Sequence, residues 1–438
     1  MDKRNLQKEE VVAMPVAMLK SGSIVGSFII AILCVTFCYT AHLLSENWLI
    51  LRKRWSAYDD HCRKPYPEMA YRAMGSSART FCSSTLNAML FGVSVVYLLL
   101  SSHIINDFVT SMTGKNIGFC TMLLIVALIL YPVTLLKSPQ DFWWAIVLAM
   151  LTTLFSVILI LTGTIVDFPL CSSHALSQKV DIGTIALSLG TFMFGFGGHA
   201  VFPTIQHDMR HPNHFTRSAV LAFCSKLART IFLFCIYLDN CNLDTEWMQR
   251  AANLFIAVHC VLTLTIVINP LNQEVENLFG TPQNFGWQRV SVRTGVMLCV
   301  VFVAETIPKF GPILNVIGGT AVALTSAVMP SLYNLYLNAA SYDDKLKIYR
   351  RPNFYEVIAR TSRSRLVINV LVIVIALVCG AATTYSAVIE MASVHFTKPC
   401  YLSVVDDFSN AEAAVPLHCC GSLRNISWYG NEACSAAF

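Results

Sequence analysis

The sequence predicts an all-α, polytopic membrane protein, and three observations predict it. Over 438 residues the chain is 55% hydrophobic and 13% charged, with a mean hydropathy of +0.57. No ordinary soluble domain of this length, disordered chain or fibrous repeat carries that balance. The apolar residues gather in stretches of about 20, the length that crosses a bilayer as a helix. The Lys and Arg residues gather in the connections between those stretches, as they do in cytoplasmic loops.

Taken in order, eight stretches free of Asp, Glu, Lys and Arg qualify as spans: 22–44, 81–105, 117–136, 142–166, 182–205, 251–270, 313–337 and 366–389. Two more carry charge near an end, 219–238 with Lys226 and Arg229, and 291–307 with Arg293 and Glu305. Ten full spans result. The connection 45–80 holds Arg52, Lys53, Arg54, Arg63, Lys64, Arg72 and Arg79. A second, 338–365, holds Lys345, Lys347, Arg350, Arg351, Arg360, Arg363 and Arg365. Both are expected to be cytoplasmic. Eight crossings lie between them, an even number, so the two assignments agree, and the opposite-side loop 106–116 holds Lys115 as its single basic residue. The chain divides into a charged cytoplasmic N-terminus (1–10), a transmembrane domain (11–391) and an extracellular or lumenal tail (392–438). Residues 1–20 show no signal-peptide pattern.

Sixteen cysteines are present. Cys34, Cys38, Cys82, Cys120, Cys260, Cys299 and Cys379 sit within apolar runs and read as small packing residues. Cys171 and Cys241 fall in loops on the outer side and are candidates for a disulfide, the alternative being two free thiols. The outer tail holds Cys400, Cys419, Cys420 and Cys434, which could oxidise there, and a glycosylation sequon at Asn425-Ile426-Ser427.

The most informative stretch reads Phe194-Gly195-Phe196-Gly197-Gly198-His199-Ala200-Val201-Phe202-Pro203. Within a helix each Gly costs about 1 kcal/mol relative to Ala and Pro about 3 kcal/mol. Lipid offers a broken backbone no hydrogen bonds, so such a break survives only against protein or a water-filled cavity. Discontinuous helices of this kind build transporter sites, where freed N–H groups attract a carboxylate and freed carbonyls a cation. Close packing of helices through small residues is the alternative use of the glycines. His199 offers a proton-coupling imidazole or, alternatively, a neutral partner for an exposed carbonyl.

The run from Phe196 to Gln206, continuing through Met209, Arg210, Pro212 and Phe215, resembles the sixth span and following loop of the amino acid/auxin permease family, near its vesicular inhibitory and proton-coupled amino acid transporter branches. Ala13-Met14-Pro15-Val16-Ala17 with Ser21-Gly22 resembles the end of the family's first span, Tyr66-Pro67-Glu68 the approach to its third and Asn269-Pro270 the close of its eighth. The resemblance implies an inverted five-helix repeat with broken first and sixth helices, moving amino acids by alternating access. It implies a proton, or sodium, as coupling ion and no bound cofactor. Substrate-site residues on that basis are Gly195, Phe196, Gly197, Gly198 and His199 with Ala13 and Met14, and Thr263 and Thr265 are candidate cation ligands. The chain departs from the pattern at its start. Residues 11–19 span about 13.5 Å at 1.5 Å per residue, less than half of a hydrocarbon core of about 30 Å. The first span is therefore truncated, as in a shortened form of a longer carrier or a divergent one.

Glu305 and Glu390 lie at span ends and are expected to reach headgroups or water. Asp60-His61-Cys62 lacks a surrounding ligand set, and His207, Asp208, His211 and His214 read as a solvated loop and not a metal site. Protease, P-loop and nucleophile-elbow motifs do not occur, and no basic tract interleaved with aromatics points to nucleic acid. The expected function is therefore a non-enzymatic, secondary-active carrier whose partners are an amino acid and the bilayer, in a plasma, vesicular or lysosomal membrane. The alternative is a non-transporting sensor or assembly partner built on the same fold.

Overall fold

The computed structural model describes residues 13–401 apart from 59–61, 63, 115–116, 136–142, 172–180, 238–245, 283–285, 346 and 394–399. Cys241, Cys419, Cys420, Cys434, Asn425, Asp60, His61 and the side chains of Ala13 and Cys171 lie outside the described residues, as do the N-terminal segment 1–10 and nearly all of the tail.

The chain forms helices α1 (Ala13–Ser21), α2 (Ser23–Arg54), α3 (Pro65–Met74), α4 (Ser76–Thr113), α5 (Phe119–Thr134), α6 (Trp143–Cys171), α7 (Ile182–Phe196) and α8 (Phe202–Asp208). They are followed by α9 (Phe215–Tyr237), α10 (Glu246–Leu278), α11 (Trp287–Thr306), α12 (Phe310–Ile317), α13 (Met329–Ala339), α14 (Phe354–Arg360) and α15 (Arg363–Ser393). A small antiparallel hairpin, β1 (Ser341–Asp343) and β2 (Ile348–Arg350), precedes α14. Among the described residues, five helices are long and apolar enough to cross a membrane: Ile24–Arg54, Ser76–Thr113, Arg250–Leu278, Phe310–Ala339 and Arg363–Ala392. Phe119–Thr134, Val147–Gly163 and Ile182–Phe196 are shorter apolar helical segments.

The burial pattern suits lipid as solvent. In α2, Ile24, Phe28, Ile32 and Val35 are exposed while Ile30, Cys34, Phe37, Ala41 and Leu44 are buried, so one helical face turns inward and the equally apolar opposite face outward. Between helices the backbones approach closely at small residues, as membrane bundles do. A Cβ on Gly319 would stand 2.9 Å from the carbonyl oxygen of Gly380 on α15, and a Cβ on Gly318 would strike the Gly190 backbone of α7. Thr383 of α15 donates to the Ala186 carbonyl of α7 at 2.9 Å, closing the same contact. Capping fixes two starts, with Asp181 and Thr184 forming a reciprocal box at α7 and Asn353 and Glu356 another at α14.

The break expected within 182–205 is present, α7 stopping at Phe196 and α8 beginning at Phe202. The structure differs from expectation in three respects. Pro270 does not close its span; α10 runs on to Leu278. Cys120 is not a packing thiol but is joined to Cys400 across 280 residues of sequence. Glu305 does not reach water. It is buried at 6% exposure, with its carboxylate within 4.8 Å of the two bonded sulfurs, because Cys400 and Tyr401 stand at the end of α11, Tyr401 stacking on Phe302 at 6.3 Å.

The charges of α10 and α11 are likewise internal. Arg293 is wholly buried, its Nε donating to Glu276 Oε1 at 2.5 Å and its Nη1 to the Thr134 carbonyl at 2.7 Å, while Arg289 Nε lies 3.2 Å from the same carboxylate. Removing one member of such a buried set costs about 3–5 kcal/mol. The network ties α5, α10 and α11 together at one end, as the disulfide ties α5 to the segment after α15 at the other.

Candidate functional site

The interruption between α7 and α8 organises the site. Gly197 ends α7 in an extended conformation, φ −71° and ψ 100°, with its N–H bonded to the Phe194 carbonyl. Pro203 sits in the first turn of α8, where its missing N–H is harmless. The glycines are needed for close approach. A Cβ on Gly195 would strike the Met14 side chain of α1, one on Gly197 would lie 2.7 Å from Val322 Cγ1, and one on Gly198 3.1 Å from Phe202 Cε1. Gly195 and Met14, both expected at the substrate site, are thus brought into contact. Thr230 of α9 donates to the Lys226 carbonyl of its own helix at 2.9 Å, and the same hydroxyl lies 3.7 Å from Met14 Sδ of α1.

His199 lies at the turn itself and is fully buried. Its Nε2 stands 3.0 Å from the Phe37 carbonyl and 3.1 Å from Thr40 Oγ1 on α2. A carbonyl can only accept, so the hydrogen bonds assign the tautomer protonated at Nε2. Nδ1 is buried without a partner among the described residues. Phe37, Phe202 and Phe223 surround the ring at centroid distances of 5.6, 4.9 and 6.0 Å.

Sequence reading missed a further group. Lys226 of α9 donates to the Gly195 carbonyl in the last turn of α7, and its ammonium lies 5.4 Å from the Phe196 ring centre. A cation at a helix C-terminus meets the negative end of the dipole. The available signal was a basic residue inside an apolar stretch, which marks function or a specific partner.

Thr263 and Thr265, the candidate cation ligands, donate to the carbonyls of His259 and Leu262 on their own helix at 2.8 and 2.7 Å, the usual habit of hydroxyls in apolar helices. They are not brought to the break. Thr263 instead belongs to a contact in which His259 Nδ1 lies 2.8 Å from Thr153 Oγ1 and 3.1 Å from the Ala149 carbonyl of α6.

The histidines after the break do not converge. His207 accepts from the Cys62 N–H at 3.3 Å and lies edge-on to Trp48, whereas His211 and His214 stand beside each other at 5.7 Å. Among the described residues, one group of possible metal ligands forms, Cys120, Glu305 and Cys400, and both of its sulfurs are committed to the disulfide. Gln206 anchors α8 to α2 by donating to Ser45 Oγ at 2.8 Å. Beyond the spans, Tyr58 donates to Glu68 Oε2 and accepts from Arg72 Nε, both at 2.8 Å. Burial, above all, pushes its phenol up to about 12.

Comparison with known proteins decides what this architecture belongs to. Residues 9–375 match the family described as transmembrane amino acid transporter protein. The chain belongs to the transmembrane amino acid transporter family. Members of that family are transporters and not enzymes, and this member is an integral, multi-pass membrane protein. It is 20% identical over 400 residues to the amino acid transporter AVT1B of Arabidopsis thaliana, covering 87% of this chain and 68% of the relative. It is 23% identical over 345 residues to AVT1E of the same plant, covering 74% and 62%, and 23% identical over 360 residues to the Arabidopsis amino acid transporter ANT1, covering 75% and 81%. The chain thus spans less than two thirds of the length of one of these relatives and slightly more than two thirds of another.

Proposed function

We propose that this family member is a secondary-active amino acid carrier that holds its substrate at the interruption between α7 and α8 and works by alternating access. The interruption is the observation that carries the reading. Two half-helices meet at Gly197–Val201 against α1, α2 and α9, which offers a substrate carbonyls at one helix end and N–H groups at the other. A zwitterionic amino acid has one charge for each. Gly195, Phe196, Gly197, Gly198 and His199, with Ala13 and Met14, form the substrate site in this proposal. The ten-span, inverted-repeat arrangement belongs to the same reading. It is supported by the alternation of basic loops and by the fact that the disulfide joins segments assigned to the outer side, where thiols oxidise.

The drive in this proposal is a proton gradient, with His199 as the candidate carrier of the proton and a sodium gradient as the alternative. Proteoliposomes containing the chain are expected to accumulate a labelled amino acid mixture when a proton gradient is imposed, and His199→Gln to lose the gradient dependence. Folded protein that shows no uptake under any ion gradient would support the non-transporting reading instead. Uptake with unchanged pH dependence in His199→Gln would remove His199 from the coupling step.

A further inference from the structure

The connection between α13 and α15 carries a surface that the transport reading does not use. Its hairpin and α14 form a foot at the end of two membrane-crossing helices, Phe310–Ala339 and Arg363–Ala392. Val357 is the inward residue of α14, buried against Leu335 and Ala339 of α13. Beside the buried Val357, α14 exposes Phe354 at 64%, Tyr355 at 83% and Ile358 at 45%, and β2 exposes Ile348 at 53%. Large apolar groups so placed gain by leaving water. On the same foot Lys345, Lys347, Arg350 and Arg363 are exposed. Exposed aromatics beside exposed cations, of which Arg350 acts on Glu356 and Lys345 and Lys347 form no salt bridge among the described residues, next to the lipid-facing Val367, Ile368 and Leu371 of α15, are the chemistry of a headgroup layer.

We propose that this foot lies on the cytoplasmic leaflet and binds anionic lipid, with Phe354, Tyr355 and Ile358 entering the headgroup–acyl boundary and Lys345, Lys347 and Arg350 holding the acidic headgroups. Charge complementarity selects the occupant: the cytoplasmic leaflet is negative, and basic residues near it gain from that potential. The foot also reaches inward. Arg351 stacks over Tyr71 of α3 at 4.7 Å, and its Nη1 would lie 3.2 Å from a Cβ on Gly75, the residue of positive φ (104°) joining α3 to α4. Arg54 at the end of α2 lies 4.6 Å over Tyr349. Lipid held by the foot therefore steadies the inner ends of α2, α3 and α4.

Hydrogen exchange of residues 341–362 tests this in the full chain, reconstituted in nanodiscs of phosphatidylcholine with and without phosphatidylserine. Exchange is expected to slow by about fivefold or more when phosphatidylserine is present. Lys345→Gln/Lys347→Gln/Arg350→Gln should abolish that dependence. Phe354→Ser/Tyr355→Ser should raise exchange in both lipids, and Val357 is untouched, so the fold is retained. Equal exchange of the parent chain in detergent, neutral lipid and anionic lipid would overturn the proposal and leave the surface to a cytoplasmic protein. The readout is independent of transport, so a chain that moves no amino acid can still satisfy it.

Discussion

Two segments of this chain carry a Gly–Gly pair followed by a proline, and they fold differently. In the first, Gly197 and Gly198 precede Pro203, and the helix parts between Phe196 and Phe202. In the second, Gly318 and Gly319 precede Pro330, and the chain stays helical from Phe310 to Ala339 through two wide π turns, Gly318–Val322 and Leu324–Val328. The position of the proline accounts for the difference. A proline removes a hydrogen bond and crowds the carbonyl four residues back. For Pro203 that carbonyl belongs to His199, directly after the glycines, so both weaknesses coincide and the helix separates. For Pro330 it belongs to Ser326, seven residues past Gly319, where widening the turn is enough. In the widened turns the Thr325 carbonyl accepts from the Tyr66 hydroxyl, and Asn47 donates to the Pro330 carbonyl at 3.0 Å. Glycine pairs permit close packing in both places, but only the coincidence with proline opens a site.

The largest expected effect lies in the unbroken segment. Gly318→Val drives a side chain into the Gly190 backbone, an overpacking with no flexible neighbour to yield, expected to cost about 3 kcal/mol or more. Loss of the monodisperse peak on gel filtration in detergent checks it. Next comes Tyr66→Phe, which strands the buried Thr325 carbonyl at a cost of about 1–3 kcal/mol and should lower the thermal midpoint in detergent while leaving the break intact. At the break the expectation reverses. Gly195→Ala meets the flexible Met14 side chain, so folding survives, but a displacement of about 1 Å at such a site can cost up to about a hundredfold in rate. Initial uptake by proteoliposomes at matched protein content would show it. An equal loss of folding in Gly195→Ala and Gly318→Val would break the comparison.

The smallest effect concerns pH. The Tyr58 phenol is raised, chiefly by burial, to about 12, against about 10 in an unfolded chain. The neutral form is favoured by folding, so this contribution is fully present below pH about 10 and is lost as pH rises through about 12. Tyr58→Phe should flatten the fall of the thermal midpoint over that window.

Much of this was legible in the residues. Hydropathy places an apolar stretch within each long helix, since a lipid-facing stretch must be apolar on all sides, but not the polar ends, by which α2, α4 and α10 overrun the predicted stretches. The Gly, His and Pro of 194–203 locate the break because each violates a helix in a distinct way. What the sequence hid was pairing across distance. Cys120 looks like a packing thiol because its partner is Cys400, 280 positions away. Glu305 looks like a span-end residue because the chain that buries it follows α15. Lys226 was visible as a charge in an apolar run, but that it reaches the Gly195 carbonyl depends on how α9 packs against α7.

The most direct test of the central claim is hydrogen exchange of residues 195–202 and 318–328 in the reconstituted chain, with and without a saturating amino acid mixture. The account predicts protection on binding at 195–202 and no change at 318–328. Protection confined to 318–328, or none at either segment under conditions that support uptake, would contradict it.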